Sequence, residues 1–248
     1  MVSGYPNKSK GKERKTMYTC EGLKKYRAIM EKAISEYDDV PVKRLKVAIS
    51  TGNRKIGNVL NVSLPPMFTC GNCAECIKFC YDVKACLQYK NVVMARARNY
   101  SILNRDFEGY FAQIQNRMAR RKENKFFRFH VAGDMVSAEY LENVIKTAEM
   151  FPEWIIWTYT KEYNLVNDYV RTHGGKREKA IPHNLKIMFS EWKGLPMPNP
   201  YGFPIFRCVF RGIESAPADA WHCPANCDIC KKEHRGCVAG ENSWTWDH

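Results

Sequence analysis

KFFRFHVAGDMVSAEYLENVIKTAEMFPEWIIWTYTK, residues 125–161, decides the fold. KFFRFHVAG reads as a strand, SAEYLENVIKTAEM as a helix that Ser137 or Asp134 can cap and Pro152 closes, and EWIIWTYTK as a second strand. The alternation continues downstream with helix EYNLVNDYVRTHG (162–174), strand NLKIMFS (184–190) and strand FPIFRCVF (203–210). Strands and helices taking turns are the mark of parallel strands joined by crossover helices. The expected fold class is therefore α/β, either a partial (β/α) barrel or an open parallel sheet, with cysteine-rich metal-binding loops on one side.

Upstream, EGLKKYRAIMEKAISEY (21–37) places Leu23, Tyr26, Met30, Ala33, Ile34 and Tyr37 at three- and four-residue intervals, an amphipathic helix. LKVAIS (45–50) reads as a buried strand, TGNRKIGN (51–58) as a turn, and VLNVSLPP (59–66) as a strand stopped by Pro65 and Pro66. Residues 91–122 carry apolar side chains at helical period, in two helices broken near Asn104 or Gly109, with Arg96, Arg98, Arg117, Arg120 and Arg121 on the polar side. Residues 1–18 are expected to be a flexible basic arm, holding Lys8, Lys10, Lys12, Arg14 and Lys15 and little to bury. Residues 19–248 then form a single α/β domain ending in a cysteine-rich segment at about 220–240.

With 45% hydrophobic residues over 248 positions, the chain can bury a core without cross-links. The N-terminus lacks the apolar core of an export signal and no run of eighteen apolar residues occurs, so a cytoplasmic protein without membrane association is expected. In a reducing cytosol, eleven cysteines argue for metal or redox chemistry over disulfides. The 39 basic and 26 acidic residues give +13, which points to nucleic acid, DNA or RNA, as a partner. Two [4Fe-4S] clusters, each about −2 with four thiolates, would leave roughly +9.

Cys70, Cys73, Cys76 and Cys80 have the spacing C-x2-C-x2-C-x3-C, the run that wraps iron–sulfur clusters in bacterial ferredoxins. Zinc sites draw two ligands from each of two knuckles, so ligands at i, i+3 and i+6 favour one or two [4Fe-4S] clusters, with zinc as the alternative. A second group, Cys223, Cys227, Cys230 and Cys237, has His222 and His234 as substitute ligands. Each group could hold its own metal, or the two could share one site. Cys20 and Cys208 are isolated and read as buried inert thiols, and Cys86 as a packed thiol or an alternative fourth ligand.

Ligands of parallel α/β folds gather at the carboxyl ends of strands. Here those ends carry Arg128, His130, Gly133 and Asp134, then Thr158, Thr160 and Lys161, then Ser190 and Glu191. By the two-residue strand period, Arg128 and His130 share a face and could meet a cofactor; the plainer reading is a core histidine and an Asp134–Lys161 ion pair. The chain has no phosphate-binding loop, dinucleotide glycine motif, serine-protease order or paired-histidine zinc helix. TGNRKIG could offer amides to a phosphate but reads first as a turn.

TGNRKIGNVLNVSLPP, the cysteine segment with CYDVK, RFHVAGDMVSAEYL and WTYTK together resemble the phage gene product 88 family, over most of residues 45–237. That resemblance implies a phage or mobile-element origin. The layout is also similar to radical S-adenosylmethionine enzymes, where three cysteines hold a [4Fe-4S] cluster at a barrel mouth and a Gly-acid strand end receives the cofactor amine. It implies S-adenosylmethionine as a cofactor, with Arg128, His130, Gly133, Asp134, Thr160 and Lys161 near it. Two departures stand out: the family's C-x3-C-x2-C is found at Cys223–Cys230, not in the early loop, and Gly133-Asp134 replaces Gly-Gly-Glu. The expected function is a phage iron–sulfur protein with a radical-enzyme-like scaffold and a basic nucleic-acid-binding surface. The alternatives are a radical S-adenosylmethionine-like enzyme and a zinc-stabilised module binding nucleic acid or a host protein.

Overall fold

The computed structural model describes residues 19–246, apart from Ala74 and the side chain of Glu75; the expected basic arm, residues 1–18, lies outside them. The chain runs through α1 (Cys20–Ser35), β1 (Leu60–Asn61), α2 (Tyr81–Gln88), α3 (Lys90–Arg105), α4 (Phe107–Ala119) and β2 (Phe126–Arg128). It continues with α5 (Ala138–Met150), β3 (Ile155–Thr160), α6 (Tyr163–Thr172), α7 (Arg177–Ala180), β4 (Leu185–Glu191) and β5 (Ile205–Val209). The C-terminal part adds β6 (Trp221–His222), α8 (Cys227–Glu233) and β7 (Ser243–Trp246). The strands form one seven-stranded sheet in the order β1-β2-β3-β4-β5-β7-β6, and every neighbouring pair is parallel. The sheet curls into a half-barrel, so the expected α/β class with cysteine-rich loops holds.

The two faces of this sheet do different work. Phe127, Phe129, Ile156, Ile187 and Phe189 pack against Phe111 and Ile114 of α4, Leu141 and Val144 of α5 and Val166 of α6, forming the main core. The alternate residues Phe126, Ile155, Trp157 and Tyr159 pack against Ile56, Val59, Cys230 and Val238. The C-terminal cysteine segment therefore covers the sheet face that the crossover helices leave open. A third cluster joins α1 to α2 and α3 through Tyr26, Met30, Val83, Cys86 and Val93.

Several local readings are corrected. Residues 45–49 form no strand; Gln113 and Asn99 side chains accept the Val47 and Ala48 N–H groups at 2.9 and 2.7 Å, and only Ser50 bridges to Asn61, antiparallel. Amide side chains thus satisfy a backbone that would otherwise need a partner strand. The break between α3 and α4 falls at Asp106, whose carboxylate accepts the Gly109 N–H at 3.0 Å as the cap of α4. As expected, Ser137 caps α5 by accepting the Tyr140 N–H. The strands β6 and β7, two and four residues long, were not foreseen, because Trp221-His222 and SWTW are too short to display a period.

Candidate functional site

The early cysteine loop lies at the carboxyl end of β3. Asn72 ties it there: its main-chain N–H donates to Glu162 Oε1 at 3.0 Å, and its side-chain amide donates to the Lys161 carbonyl and Glu162 Oε2, both at 3.1 Å. Gly133 makes the approach possible. Its φ is +85°, and a Cβ there would come within 2.7 Å of Thr69 Oγ1 and 2.8 Å of Leu64 Cβ. Only glycine fits that combination of left-handed backbone and close contact.

Within the loop, the Cys76 thiol donates to the Cys73 carbonyl at 2.7 Å, and Cys80 stands at the head of α2. Burial pushes all four thiols up, Cys80 to about 11 even though the Val83 and Asp82 N–H groups favour its thiolate. After burial, the Asp134 carboxylate raises Cys70 most and the Asp82 carboxylate raises Cys80; repulsion among the thiols is smaller, Cys80 and Cys76 acting on Cys70, Cys76 on Cys80, and Cys73 on Cys76. The Lys161 ammonium works the other way on Cys73 and Cys76. Behind the loop, Arg96 of α3 grips the buried Asp82 carboxylate with two hydrogen bonds of 2.8 and 3.0 Å, fixing α2 and hence Cys80.

The second group assembles on the other sheet face. Tyr159 donates its hydroxyl to Cys237 Sγ at 2.7 Å, and the Arg128 guanidinium lies 4.5 Å from the centroid of the Tyr159 ring. Burial pushes Cys227 up to about 11 and Cys237 to about 12, with Cys223 raising both further and Arg128 opposing the shift. Arg128 Nε is buried without a hydrogen-bond partner, and no carboxylate pairs with Arg128 among the described residues. A cation in that setting is matched by the tyrosine ring, and it favours the thiolate form of the cysteines beside it. His222 stacks on Trp244 at 4.2 Å, and His234 ends α8 in a left-handed conformation.

None of the described cysteines is disulfide-bonded. Among the described residues, no three His, Cys, Asp or Glu side chains already stand in an arrangement that could hold an ion. The donor set fits a thiophilic metal in kind: each group supplies four half-buried or buried thiols, repelling one another when ionised, beside Lys161 in the first group and Arg128 and Lys231 in the second. Of the isolated thiols, Cys20 is exposed and Cys208 half-buried, against the expectation of burial, because Cys20 opens α1 on its solvent side. Cys86 is buried and faces Asp82 Oδ2 at 3.9 Å, a packed thiol.

The strand-end residues divide between the faces. Arg128 points to the C-terminal cysteines, but His130, φ +54°, breaks the strand alternation and turns to the helix side. There its Nδ1 meets Thr158 Oγ1 and its Nε2 the Tyr140 hydroxyl, both at 3.0 Å, and burial pushes it down to about 3, a neutral ring. The expectation of a shared face is overturned by that one left-handed residue. Asp134 is no ion-pair partner of the Lys161 side chain: its carboxylate accepts the Lys161 and Met135 main-chain N–H groups, each at 2.8 Å. Burial raises it to about 6 in spite of these bonds. Thr160 Oγ1 accepts the Glu162 N–H, and Lys161 Nζ donates to Ser190 Oγ at 3.1 Å. Glu191 is paired with Arg207. Residues 51–58 form the expected turn, with Asn53 Oδ1 accepting the Lys55 and Ile56 N–H groups, while the Asn58 amide is taken by Asp228. Sequence reasoning missed Asn72, Glu162 and Tyr159; only their adjacency to a cysteine loop or strand end signalled them.

No helix is long and apolar enough to cross a membrane among the described residues. No curated protein and no solved structure matches the chain significantly. One family model does, over residues 5–193, more than half of the sequence, and its description is gene product 88.

Proposed function

The chain belongs to the gene product 88 family, and we propose that it is a cytosolic iron–sulfur protein of phage or mobile-element type. In this reading Cys70, Cys73, Cys76 and Cys80 hold one [4Fe-4S] cluster, and Cys223, Cys227, Cys230 and Cys237 hold a second cluster or zinc. A basic surface faces nucleic acid. The supporting observation is the pair of four-cysteine groups, without disulfides, each beside buried or half-buried cations, Lys161 at the first and Arg128 with Lys231 at the second. When bound, a [4Fe-4S] cluster supplies one-electron chemistry and, with three thiolate ligands, an iron with a free coordination position. The chain's own part is to hold the loop on Glu162, offset thiolate charge with Lys161 and Arg128, and fix Cys80 through Asp82 and Arg96. Cys73→Ser/Cys76→Ser and Cys227→Ser/Cys230→Ser variants should each lose the metal of one group and keep the other's. Unchanged metal content in both would remove the reading.

A radical S-adenosylmethionine-like enzyme is the second reading. It is favoured by the loop's seat at the carboxyl end of a parallel sheet, beside Gly133 and Asp134, where such folds bind ligands. Protein reconstituted under reducing conditions should then bind and cleave S-adenosylmethionine; absence of binding would eliminate this reading and leave the first intact.

A further inference from the structure

Three segments far apart in sequence meet at Asn58. Arg121, just after α4, donates from Nη2 to Asn58 Oδ1 at 2.7 Å, and Lys231 of α8 donates to the Asn58 carbonyl at 3.2 Å. The Cys227 N–H donates to the Lys55 carbonyl at 3.0 Å, which seats α8 on the 51–58 turn. Arg54, Lys55, Arg117 and Arg120 are exposed around this junction. Burial, and then the Arg117 charge, push the Arg121 guanidinium below its ordinary value, so cations there crowd one another. Of the neighbouring acids, Asp228 is paired with Lys231, and Glu123 follows Arg121 in the same turn. The patch lies at the amino end of β2, since Lys231 Nζ sits 5.2 Å from the Phe126 ring centroid, whereas the Cys70–Cys80 loop lies at the carboxyl end of β3.

We infer that the junction of α4, the 51–58 turn and α8 is the surface that binds nucleic acid, and that its ligand is the phosphate backbone of duplex DNA. The inference rests on the nucleic-acid part of the proposed function and gives it a location. The exposed Arg54 and Lys55 of the turn, with Arg117 and Arg120 of α4 and its end, match a ladder of phosphates, while Lys231, its side chain buried and paired with Asp228, holds the junction together. Single strands are held by bases stacked on aromatic rings, and RNA loops are read the same way. The exposed aromatics among the described residues, Tyr81 and Tyr89, lie on and just after α2, not at this patch. A duplex backbone needs no such rings. The location also ties binding to the C-terminal cysteine group, because Cys227 and Lys231 share α8.

The test compares three full-length proteins by salt-dependent binding to a mixed-sequence DNA duplex, the matching single strand and an RNA duplex: the wild type, Arg117→Gln/Arg120→Gln/Arg121→Gln, and the control Lys24→Ala/Lys25→Ala/Lys32→Ala. The control removes the same charge from α1, where all three lysines are exposed. The expected result is tightest binding of the DNA duplex by the wild type. The arginine variant should have a log–log salt slope shallower by up to about 2.7, at about 0.9 per phosphate contact, and at least about tenfold weaker binding near 0.1 M salt, with the control close to wild type. Equal loss in both variants, or none in the arginine variant, overturns the location. Preference for the single strand or RNA overturns the duplex DNA assignment. A wild type that binds nothing at low salt overturns the nucleic-acid reading itself. Arg54→Gln/Lys55→Gln, in the 51–58 turn, should reproduce a smaller loss should the triple variant be poorly folded.

Discussion

The main-chain N–H of Lys161 donates a 2.8 Å hydrogen bond to Asp134 Oδ2, so the carboxylate after β2 fixes the backbone where β3 ends. Its other oxygen accepts the Met135 N–H at 2.8 Å. Asp134→Ala leaves both N–H groups without their acceptor and should destabilise the fold by about 2–4 kcal/mol in urea denaturation, whereas Asp134→Asn, which keeps one acceptor, should cost roughly half as much. A loss below about 0.5 kcal/mol for the alanine variant would mean that water replaces the carboxylate at no cost.

His130 carries a pH dependence of known sign. Its ring is neutral in the fold, pushed down to about 3 from 6.5, so below pH 6.5 the unfolded chain takes up a proton that the folded chain does not. Stability is thus fully present above 6.5 and falls by about 1.4 kcal/mol per pH unit between that value and the folded one. His130→Asn, which also accepts the left-handed backbone, should show a smaller loss between pH 6.5 and 4.5. Asp134 and the other carboxylates titrate in both proteins, so the difference between the two curves isolates the histidine; parallel curves would refute its buried neutral state.

Gly133→Ala should be costly for its size. The new methyl would meet Thr69 Oγ1 and Leu64 at under 3 Å from a left-handed backbone, costing about 1–3 kcal/mol and pushing the cysteine loop off the strand end. Retention of metal by this variant should fall along with its stability; an unchanged melting temperature would contradict the close packing.

In the proposed C-terminal metal site Arg128 would balance the thiolates, and that role requires charge. Arg128→Met should speed chelator-driven loss of metal from Cys223, Cys227, Cys230 and Cys237 by about tenfold or more, and Arg128→Lys should recover part of it. Loss from the Cys70–Cys80 group should change little, since Lys161 is the cation beside it. Equal rates from both groups in Arg128→Met would contradict this division.

Much of the scaffold is legible in residues 125–191 because strand and helix periods there alternate without interruption, and the connections from β2 to β3 and from β3 to β4 each carry a crossover helix to bury. The C-terminal strands escape because Trp221-His222 and Ser243–Trp246 owe their pairing to each other and to β5, a tertiary cause with no local signature. Leu45–Ser50 misleads for the reverse reason: it has strand composition, but Asn99 and Gln113 occupy the hydrogen bonds that a neighbour would have made. At the site, cysteine spacing marks two sets of four thiols, of which no three stand together in a metal-holding arrangement among the described residues. What spacing cannot convey is which residue faces which side once φ turns positive, and His130 is the instance: one left-handed residue moved it from the predicted cofactor face into the core beside Tyr140.

The central claim is that the two cysteine groups hold metal and that the first holds a cluster. Iron, acid-labile sulfide and zinc counted on anaerobically prepared full-length protein, together with its absorbance spectrum, test it most directly. The account predicts a brown protein with about four iron and four sulfide per cluster, and either a second such set or one zinc at the C-terminal group. A colourless protein with zinc and neither iron nor sulfide would contradict the cluster, and a protein without any metal would contradict both sites.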